Sequence, residues 1–253
     1  MIKTVDLYKS FGETEVLTEI NTEFERGKTN LIIGASGSGK TTLTKCIVGL
    51  IEPTKGKVLY EGKDFHAMDF QEKKEIRKKI GFLFQGGALF DSQTVEENLQ
   101  FPLDMFTNQT AKEKLDRVNF CLDRVNLKGV NKLYPAELSG GMKKRVGIAR
   151  AIAMKPQYLF CDEPNSGLDP KTSILIDNLI KEITHEYDIT TIVITHDMNS
   201  VLEIGENVMF IHEGRKWWEG SRREILETNN REVVEFVYAS SFMQTIREKA
   251  NLK

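Results

Sequence analysis

The chain has 253 residues, a formal net charge of −2 and Lys and Arg residues spread along its length. This size allows one large domain or a domain with a subdomain. The dispersed charge argues against a nucleic-acid-binding surface, and the three scattered cysteines argue against a disulfide framework or a zinc site. No stretch approaches the roughly 18 consecutive apolar residues of a membrane span, and residues 1–6 lack the apolar core of a signal peptide. We therefore expect a cytosolic chain that gains any membrane role from a partner.

Short β-branched runs alternate with helical patterns along the chain, which predicts an α/β fold with a mainly parallel sheet. The middle differs, because residues 91–153 contain no convincing strand, and Thr110 and Glu113 have the spacing of a capping box. We expect a helical subdomain inserted at about residues 91–153 and a helical C-terminal extension over residues 221–253. The predicted strands are residues 16–24, 57–60, 80–84, 158–161, 189–195 and 208–212.

A glycine-rich loop follows the apolar stretch 31–33 and fits the pattern G-x-x-x-x-G-K-[ST]. Its glycines bring backbone N–H groups close to phosphate oxygens, and the helix that begins near Gly39 directs the positive end of its dipole at the same anion. Lys40 adds a mobile charge for the outer phosphates, and the Thr41 hydroxyl can ligate Mg²⁺. A glycine-rich turn without a ligand does not explain the strand, loop and helix in this order. We predict a nucleoside triphosphate site made by Gly34, Ala35, Ser36, Gly37, Ser38, Gly39, Lys40, Thr41 and Thr42.

A second candidate anion site precedes the helical run 143–153. Ser139 is a suitable helix N-cap, and Gly140 and Gly141 leave backbone N–H groups exposed at the helix start. Taken alone, this sequence also fits an ordinary capped helix.

Two carboxylates follow the apolar run 158–161 directly. Asp162 can hold the Mg²⁺ shell, while Glu163 orients and polarises an attacking water. A strand that simply meets solvent is the alternative, but the phosphate loop upstream favours metal-assisted hydrolysis.

Taken together, residues 5–220 resemble the nucleotide-binding subunit of an ATP-binding-cassette (ABC) transporter. Residues 34–42 resemble its Walker A loop, 138–142 its signature motif and 158–163 its Walker B strand with the catalytic glutamate. The resemblance implies an ATPase domain over residues 1–220 with an N-terminal antiparallel β subdomain. It also implies four further site residues: Phe11, which stacks on adenine; Gln85, the Q-loop glutamine that senses Mg²⁺ and the membrane partner; Asp169, in the D-loop; and His196, the switch histidine at the γ-phosphate.

The resemblance further implies a head-to-tail dimer, because in this family the signature motif of one protomer closes on the nucleotide of the other. Ser139 and Gly141 would then act in trans, with ATP and Mg²⁺ as cofactors. Hydrolysis at Glu163 would separate the protomers and drive a transmembrane permease, contacted by residues 85–103 and the helical subdomain. The implied location is peripheral, on the cytoplasmic face of the inner membrane, with accessory and lipid-binding subunits as further partners and no nucleic acid.

Two local features narrow the family. Met142, residues 84–92 and 94–98, and the pair Pro102 and Leu103 resemble the ATPase of the maintenance-of-lipid-asymmetry (Mla) transporters and their Mce-linked and plastid-lipid relatives. These ATPases energise phospholipid movement through a separate permease. Asn165 departs from the Thr or aromatic residue common at its position and leaves the subfamily open. One alternative is the ATPase of a small-solute importer. The other is a soluble ABC ATPase that acts on ribosomes or DNA, against which the single cassette argues.

The C-terminal segment carries apolar residues at helical spacing. One interpretation is a helix that packs on its own domain, and the other is a contact with the second protomer or an accessory subunit. The residues concerned are Val233, Phe236, Val237, Ala239, Phe242, Met243, Ile246 and Ala250.

Overall fold

The structure is a computed structural model and describes residues 1–239. It divides into two compact units. Within the described residues, the first comprises residues 1–25, 29–67 and 195–239, and the second comprises residues 26–28 and 68–194.

The described part of the chain forms ten strands and nine α-helices, with short 3₁₀ helices at Phe65–Ala67 and Pro135–Glu137. In chain order the elements are β1 (Ile2–Phe11), β2 (Thr14–Phe24), β3 (Thr29–Ile33), α1 (Lys40–Ile47), β4 (Lys55–Tyr60), β5 (Lys63–Asp64), α2 (Phe70–Lys78), β6 (Ile80–Leu83), α3 (Val95–Phe106), α4 (Ala111–Arg124), α5 (Gly140–Ile152), β7 (Tyr158–Asp162), α6 (Pro170–Glu186), β8 (Thr190–Thr195), α7 (Met198–Ile204), β9 (Asn207–His212), β10 (Arg215–Gly220), α8 (Glu224–Glu227) and α9 (Arg231–Val237).

The first unit holds an antiparallel sheet in the order β2-β1-β4-β5 and strands in the order β10-β9-β3, of which β3 and β9 are parallel. Strand β3 is buried along its whole length. Its polar residues are buried because they have partners. The N–H of Thr29 donates to a Glu206 carboxylate oxygen at 2.9 Å, and Asn30 Oδ1 accepts from the N–H of Glu25 at 2.9 Å. This anchored strand leads directly into the phosphate loop.

The second unit holds parallel strands in the order β8-β7-β6 together with α2 to α6. Helix α5 lies very close to β6. A Cβ atom on Gly147 would lie 2.7 Å from Cδ1 of Leu83, and one on Gly81 would lie 2.3 Å from the carbonyl oxygen of Ala151. Glycine at both positions lets the helix approach the strand, so that side chains from α5 reach the loops that follow β6 and β7.

The predicted fold class is confirmed: an α/β fold with mainly parallel strands, an antiparallel sheet near the N-terminus and a helical segment. Each predicted strand is present with ends shifted by up to two residues. Strands β1, β5 and β10 are not among the predicted strands, and β3 contains the apolar stretch 31–33 that leads into the glycine-rich loop. Residues 91–153 form helices and no strand. The predicted capping box is formed, since Glu113 N–H donates to Thr110 Oγ1 at 3.3 Å and Thr110 N–H to a Glu113 carboxylate oxygen at 2.7 Å. The domain bounds 1–220 and 221–253 stay predictions.

The apolar residues just before the predicted C-terminal contact pack on their own unit. Val233 and Val237 of α9 are buried, and the Phe236 ring lies 5.2 Å from the Phe210 ring, centroid to centroid. These residues therefore follow the self-packing interpretation. The further residues of that contact, Phe242, Met243, Ile246 and Ala250, lie outside the described residues. Among residues 1–239, no helix combines the length and apolarity that crossing a bilayer requires.

Candidate nucleotide site

The phosphate loop joins β3 to α1 in the first unit. Gly34 has a φ of +146°, and a Cβ atom there would lie 2.1 Å from the carbonyl oxygen of Ile211, so the position requires glycine. Lys40 is 8% exposed, and its ammonium group donates to the carbonyl oxygens of Gly34 and Ala35, each at 2.8 Å. The Lys40 side chain is thus held against the backbone of the loop in which it is predicted to bind phosphate.

The donors of this loop fit a phosphate group. Gly39 is the N-cap of α1, and a glycine has no side chain with which to cap the first-turn N–H groups of that helix. Ser38 Oγ is buried and has no hydrogen-bond partner within residues 1–239. Uncapped N–H groups and the positive end of the helix dipole attract an anion. Together with the Lys40 charge, they give the loop the chemistry that a nucleotide phosphate requires.

Two more predicted residues of the first unit are exposed. The Phe11 ring, at the end of β1, is 51% exposed, and the Lys9 ammonium lies 4.8 Å from the ring centroid. His196 directly follows β8 and precedes Asp197, whose carboxylate accepts from the N–H of Asn199 at 2.9 Å as the cap of α7. Adenine stacking by Phe11 and the γ-phosphate contact of His196 stay predictions.

The predicted catalytic carboxylate stands on a strained backbone. Asp162 ends β7, and Glu163, the next residue, has a φ of +46°. A left-handed conformation costs a residue with a side chain about 1–2 kcal/mol. Two backbone bonds hold Glu163 in place: its N–H donates to the carbonyl oxygen of Ile194 at 2.9 Å, and its carbonyl oxygen accepts from the N–H of Ser166 at 3.2 Å. Strain of this kind is typical of functional positions.

The predicted signature and D-loop residues lie side by side in the second unit. Ser139 caps α5 by accepting from the N–H of Met142 at 3.2 Å. Asp169 caps α6 by accepting from the Thr172 hydroxyl at 2.5 Å and the Thr172 N–H at 3.0 Å, and these hydrogen bonds lower the pKa of Asp169. A Cβ atom on Gly141 would lie 2.7 Å from Cγ2 of Thr172, so glycine is what lets the two helix starts approach.

The Q-loop is held by its neighbours in the second unit. Gln85 Nε2 donates to Ser166 Oγ at 3.4 Å, which links the Q-loop to the segment that ends at Asp169. Arg150 of α5 donates from Nη1 to the carbonyl oxygen of Ala88 at 2.8 Å and from Nη2 to that of Gly87 at 2.9 Å. The Arg150 guanidinium therefore fixes the backbone that follows Gln85.

Lys144 was not predicted as a site residue, yet it joins two of the predicted elements. It lies on α5, is 5% exposed, and its ammonium donates to the carbonyl oxygens of Gln85 and, at 3.1 Å, Glu163. Burial lowers the pKa of Lys144, and the Asp162 and Glu163 carboxylates oppose that shift. One signal was present in the sequence: Lys144 lies one helical turn before the apolar Ile148, on a helix face that becomes buried.

The structure thus groups the predicted residues in two sets. The first unit carries Phe11, the phosphate loop 34–42 and His196. The second unit brings together Gln85, Ser139, Gly140, Gly141, Asp162, Glu163 and Asp169. The predicted magnesium ligands, which are Thr41, Gln85 and Asp162, offer the oxygen donors that Mg²⁺ prefers.

The positive φ of Glu163 predicts how substitutions at this position change the free energy of unfolding. Glycine adopts positive φ without a penalty, so Glu163→Gly should have a free energy of unfolding about 1 kcal/mol higher than Glu163→Ala, measured by urea denaturation. Glu182 is exposed inside α6 and serves as the control. There the order should reverse, with glycine about 1 kcal/mol less stable than alanine. Equal stability of the two Glu163 variants would show that the backbone is not strained.

A family model described as "ABC transporter" matches residues 17–166. The match includes the phosphate loop, Gln85, the signature residues and the Asp162–Glu163 pair.

Three curated relatives show the range of similar proteins. The chain is 44% identical over 210 residues to the methionine import ATP-binding protein MetN of Desulfitobacterium hafniense, covering 83% of this chain and 62% of that protein. It is 36% identical over 233 residues to the probable ribonucleotide transport ATP-binding protein mkl of Mycobacterium leprae, covering 92% and 67%. It is 35% identical over 241 residues to the intermembrane phospholipid transport system ATP-binding protein MlaF of Haemophilus influenzae, covering 95% and 91%. The chain thus spans 62% of the length of this MetN and 67% of that of mkl.

Two solved structures of one protein are similar in fold. The dimeric structure of MJ0796, a bacterial ABC transporter cassette, matches with a TM-score of 0.80 at 33% identity and covers 88% of this chain and 99% of that one. The post-hydrolysis state of the same cassette, a dimer bound to ADP and Pi, matches equally well. The chain belongs to the ABC transporter family and is one of its ATP-binding, ATP-hydrolysing cassettes.

Proposed function

We propose that this chain is the ATPase subunit of a membrane ABC transporter and that the transporter moves phospholipid between membranes through a separate permease. The observation that carries the lipid assignment is the similarity to MlaF, which runs over 95% of this chain and 91% of that protein. Met142 and the stretches 84–92, 94–98 and 102–103 support it, because they resemble the Mla-type ATPases. The chain would sit at the cytoplasmic face of the inner membrane, bound to the permease.

The hydrolytic step is assigned to Glu163. Its carboxylate accepts a proton from the attacking water, while Lys40 and the N–H groups at the start of α1 hold the phosphates. Thr41, Gln85 and Asp162 would hold Mg²⁺, which neutralises charge on the phosphate oxygens. His196 contacts the γ-phosphate and Phe11 stacks on adenine.

Replacing Glu163, the proposed base, tests whether ATP binding persists when ATP hydrolysis is lost. Glu163→Gln keeps the size and hydrogen bonding of the side chain but removes the base, so the rate of phosphate release should fall by at least about a hundredfold. ATP binding should persist, and the variant should elute as an ATP-dependent dimer in size-exclusion chromatography. Near-normal hydrolysis would place the base on another residue.

The dimer is assigned as head-to-tail, with Ser139 and Gly141 acting on the partner's nucleotide. The support is that the chain has two candidate anion sites, at the starts of α1 and α5, and that Ser139 is exposed. The similarity to the dimeric MJ0796 cassette adds to this.

A crosslinking experiment tests the trans arrangement. Cys46, Cys121 and Cys161 are buried, and burial raises the pKa of Cys46 and of Cys121 to about 11. A thiol-reactive group on the γ-phosphate of an ATP analogue should therefore label an introduced Ser139→Cys selectively. A tagged chain with Lys40→Ala and Ser139→Cys should be labelled when mixed with the unmodified chain.

The reciprocal mixture is the control. A tagged chain with Ser139→Cys alone, mixed with excess Lys40→Ala chain, should lose its label, because its partner holds no nucleotide. Labelling of this second mixture and not of the first would place the signature motif on the nucleotide of its own chain.

The alternative function is import of a small solute, which the 44% identity to MetN favours. Affinity purification of the chain with its membrane partners, followed by mass spectrometry, separates the two. We expect phospholipid and a permease without a nucleotide site to copurify, and ATP hydrolysis by the complex in vesicles to rise with phospholipid content. Stimulation by a soluble solute with its binding protein, and none by lipid, would support the importer. The Glu163→Gln complex should bind the same partners without stimulation.

A further inference from the structure

Two loops that carry predicted catalytic residues meet at one buried cation. Gln85 follows β6 closely, and Glu163 directly follows β7. The Lys144 ammonium of α5 donates to the backbone carbonyl oxygens of both residues. Because Lys144 is 5% exposed, these bonds replace the water that its charge would otherwise bind.

The Glu163 backbone needs such support. Its φ of +46° is unfavourable for a residue with a side chain, and a conformation of this kind persists only where the surroundings over-determine it. Two hydrogen bonds of the Glu163 backbone, to Ile194 and from Ser166, run between backbone groups. The bond from Lys144 is made by a side chain, so a substitution can remove it and leave every backbone group in place.

We propose that Lys144 is a positioning residue for the hydrolytic step: by bonding the Glu163 carbonyl oxygen, it keeps the left-handed backbone that directs the Glu163 carboxylate. The same ammonium bonds the Gln85 carbonyl oxygen, so the position of the Q-loop and the orientation of the Glu163 side chain are linked through one group. This inference rests on the proposed role of Glu163 as the base.

A purely structural role of Lys144 predicts a different result from a positioning role. Loss of a structural lysine lowers the melting temperature and leaves the turnover of the folded protein unchanged. Loss of a positioning lysine lowers kcat at saturating ATP and leaves nucleotide affinity unchanged, because the Lys144 ammonium bonds the backbone of the loops that carry Gln85 and Glu163. Misplacement of a catalytic group by about 1 Å costs up to about a hundredfold in rate.

The experiment compares Lys144→Met with Lys144→Arg in the full chain. For Lys144→Met we expect kcat for ATP hydrolysis to fall by about tenfold to a hundredfold, with the KM for ATP and the Kd of a fluorescent ATP analogue within about twofold. Lys144→Arg should recover most of the rate, because a guanidinium on this helix can bond two carbonyl oxygens, as Arg150 does. Unchanged kcat in Lys144→Met would overturn the proposal.

The control replaces another lysine of the same unit whose side chain has low solvent exposure. The Lys114 side chain is 15% exposed, and its ammonium lies 2.7 Å from a carboxylate oxygen of Asp104, which is not one of the predicted site residues. Lys114→Met should leave kcat within about twofold of the unmodified chain. If it lowers kcat as much as Lys144→Met does, the effect of Lys144 is general destabilisation and the proposal fails.

The Glu163→Gln background separates failure of this proposal from failure of the proposed function. If Glu163→Gln alone retains normal hydrolysis, the role of Glu163 is wrong. If it is inactive and Lys144→Met lowers its residual rate no further, Lys144 acts through Glu163. An equal fractional loss in both backgrounds would show that Lys144 acts independently of Glu163.

A folding failure is also decisive. If Lys144→Met does not fold, Lys144→Gln is measured in its place, since the amide still donates one hydrogen bond. Reduced kcat with unchanged ATP affinity in that variant supports positioning. If both variants fail to fold while Lys114→Met folds, Lys144 serves folding and the proposal is overturned.

Discussion

A buried ammonium group, that of Lys144, joins two loops of the second unit that carry predicted catalytic residues. Burial removes the Lys144 charge from water, which costs free energy of hydration. Hydrogen bonds to the carbonyl oxygens of Gln85 and Glu163 and the negative charge of the nearby carboxylates offset that cost. Removing a buried cation of this kind leaves two carbonyl groups without their donor. The close approach of α5 to β6, which Gly81 and Gly147 permit, is what lets the ammonium reach both loops. Packing and chemistry are therefore linked at this helix.

The cation also explains how the chain keeps an unfavourable backbone at its proposed catalytic position. A left-handed Glu163 costs about 1–2 kcal/mol, which is a noticeable part of the stability of a domain. Three hydrogen bonds offset that cost. The Glu163 N–H donates to the Ile194 carbonyl oxygen, and the Glu163 carbonyl oxygen accepts from the Ser166 N–H and from the Lys144 ammonium. Because the Gln85 carbonyl shares the same donor, a shift of the Q-loop changes what holds Glu163. This is a physical route by which a partner bound at the Q-loop could act on hydrolysis.

The relatives share the ATPase family but differ in the substance that their names say is transported. Identity is higher to a methionine importer subunit than to MlaF, while the similarity to MlaF covers more of the chain. The roles proposed for Lys40 and Glu163 concern the phosphates of ATP, so these residues carry no information about what a permease moves. That information lies on the surface that meets the permease. In the second unit, Phe84, Phe90 and Phe101 are each about 40% exposed, and exposed aromatic rings of this kind are common at protein interfaces.

The sequence by itself determined the fold class, the glycine-rich loop and the order of the predicted catalytic motifs, because glycine spacing, apolar strands and capping residues act locally. Thr110, Ser139 and Asp169 cap helices through contacts within a few residues, and such contacts are readable from spacing alone. Only the tertiary structure decided that Lys144 and Arg150 hold the Q-loop and that Glu163 has a positive φ. Lys144 and Gln85 are far apart in the chain and meet because α5 packs against β6. A contact of that kind depends on which elements become neighbours, and local sequence patterns do not specify it.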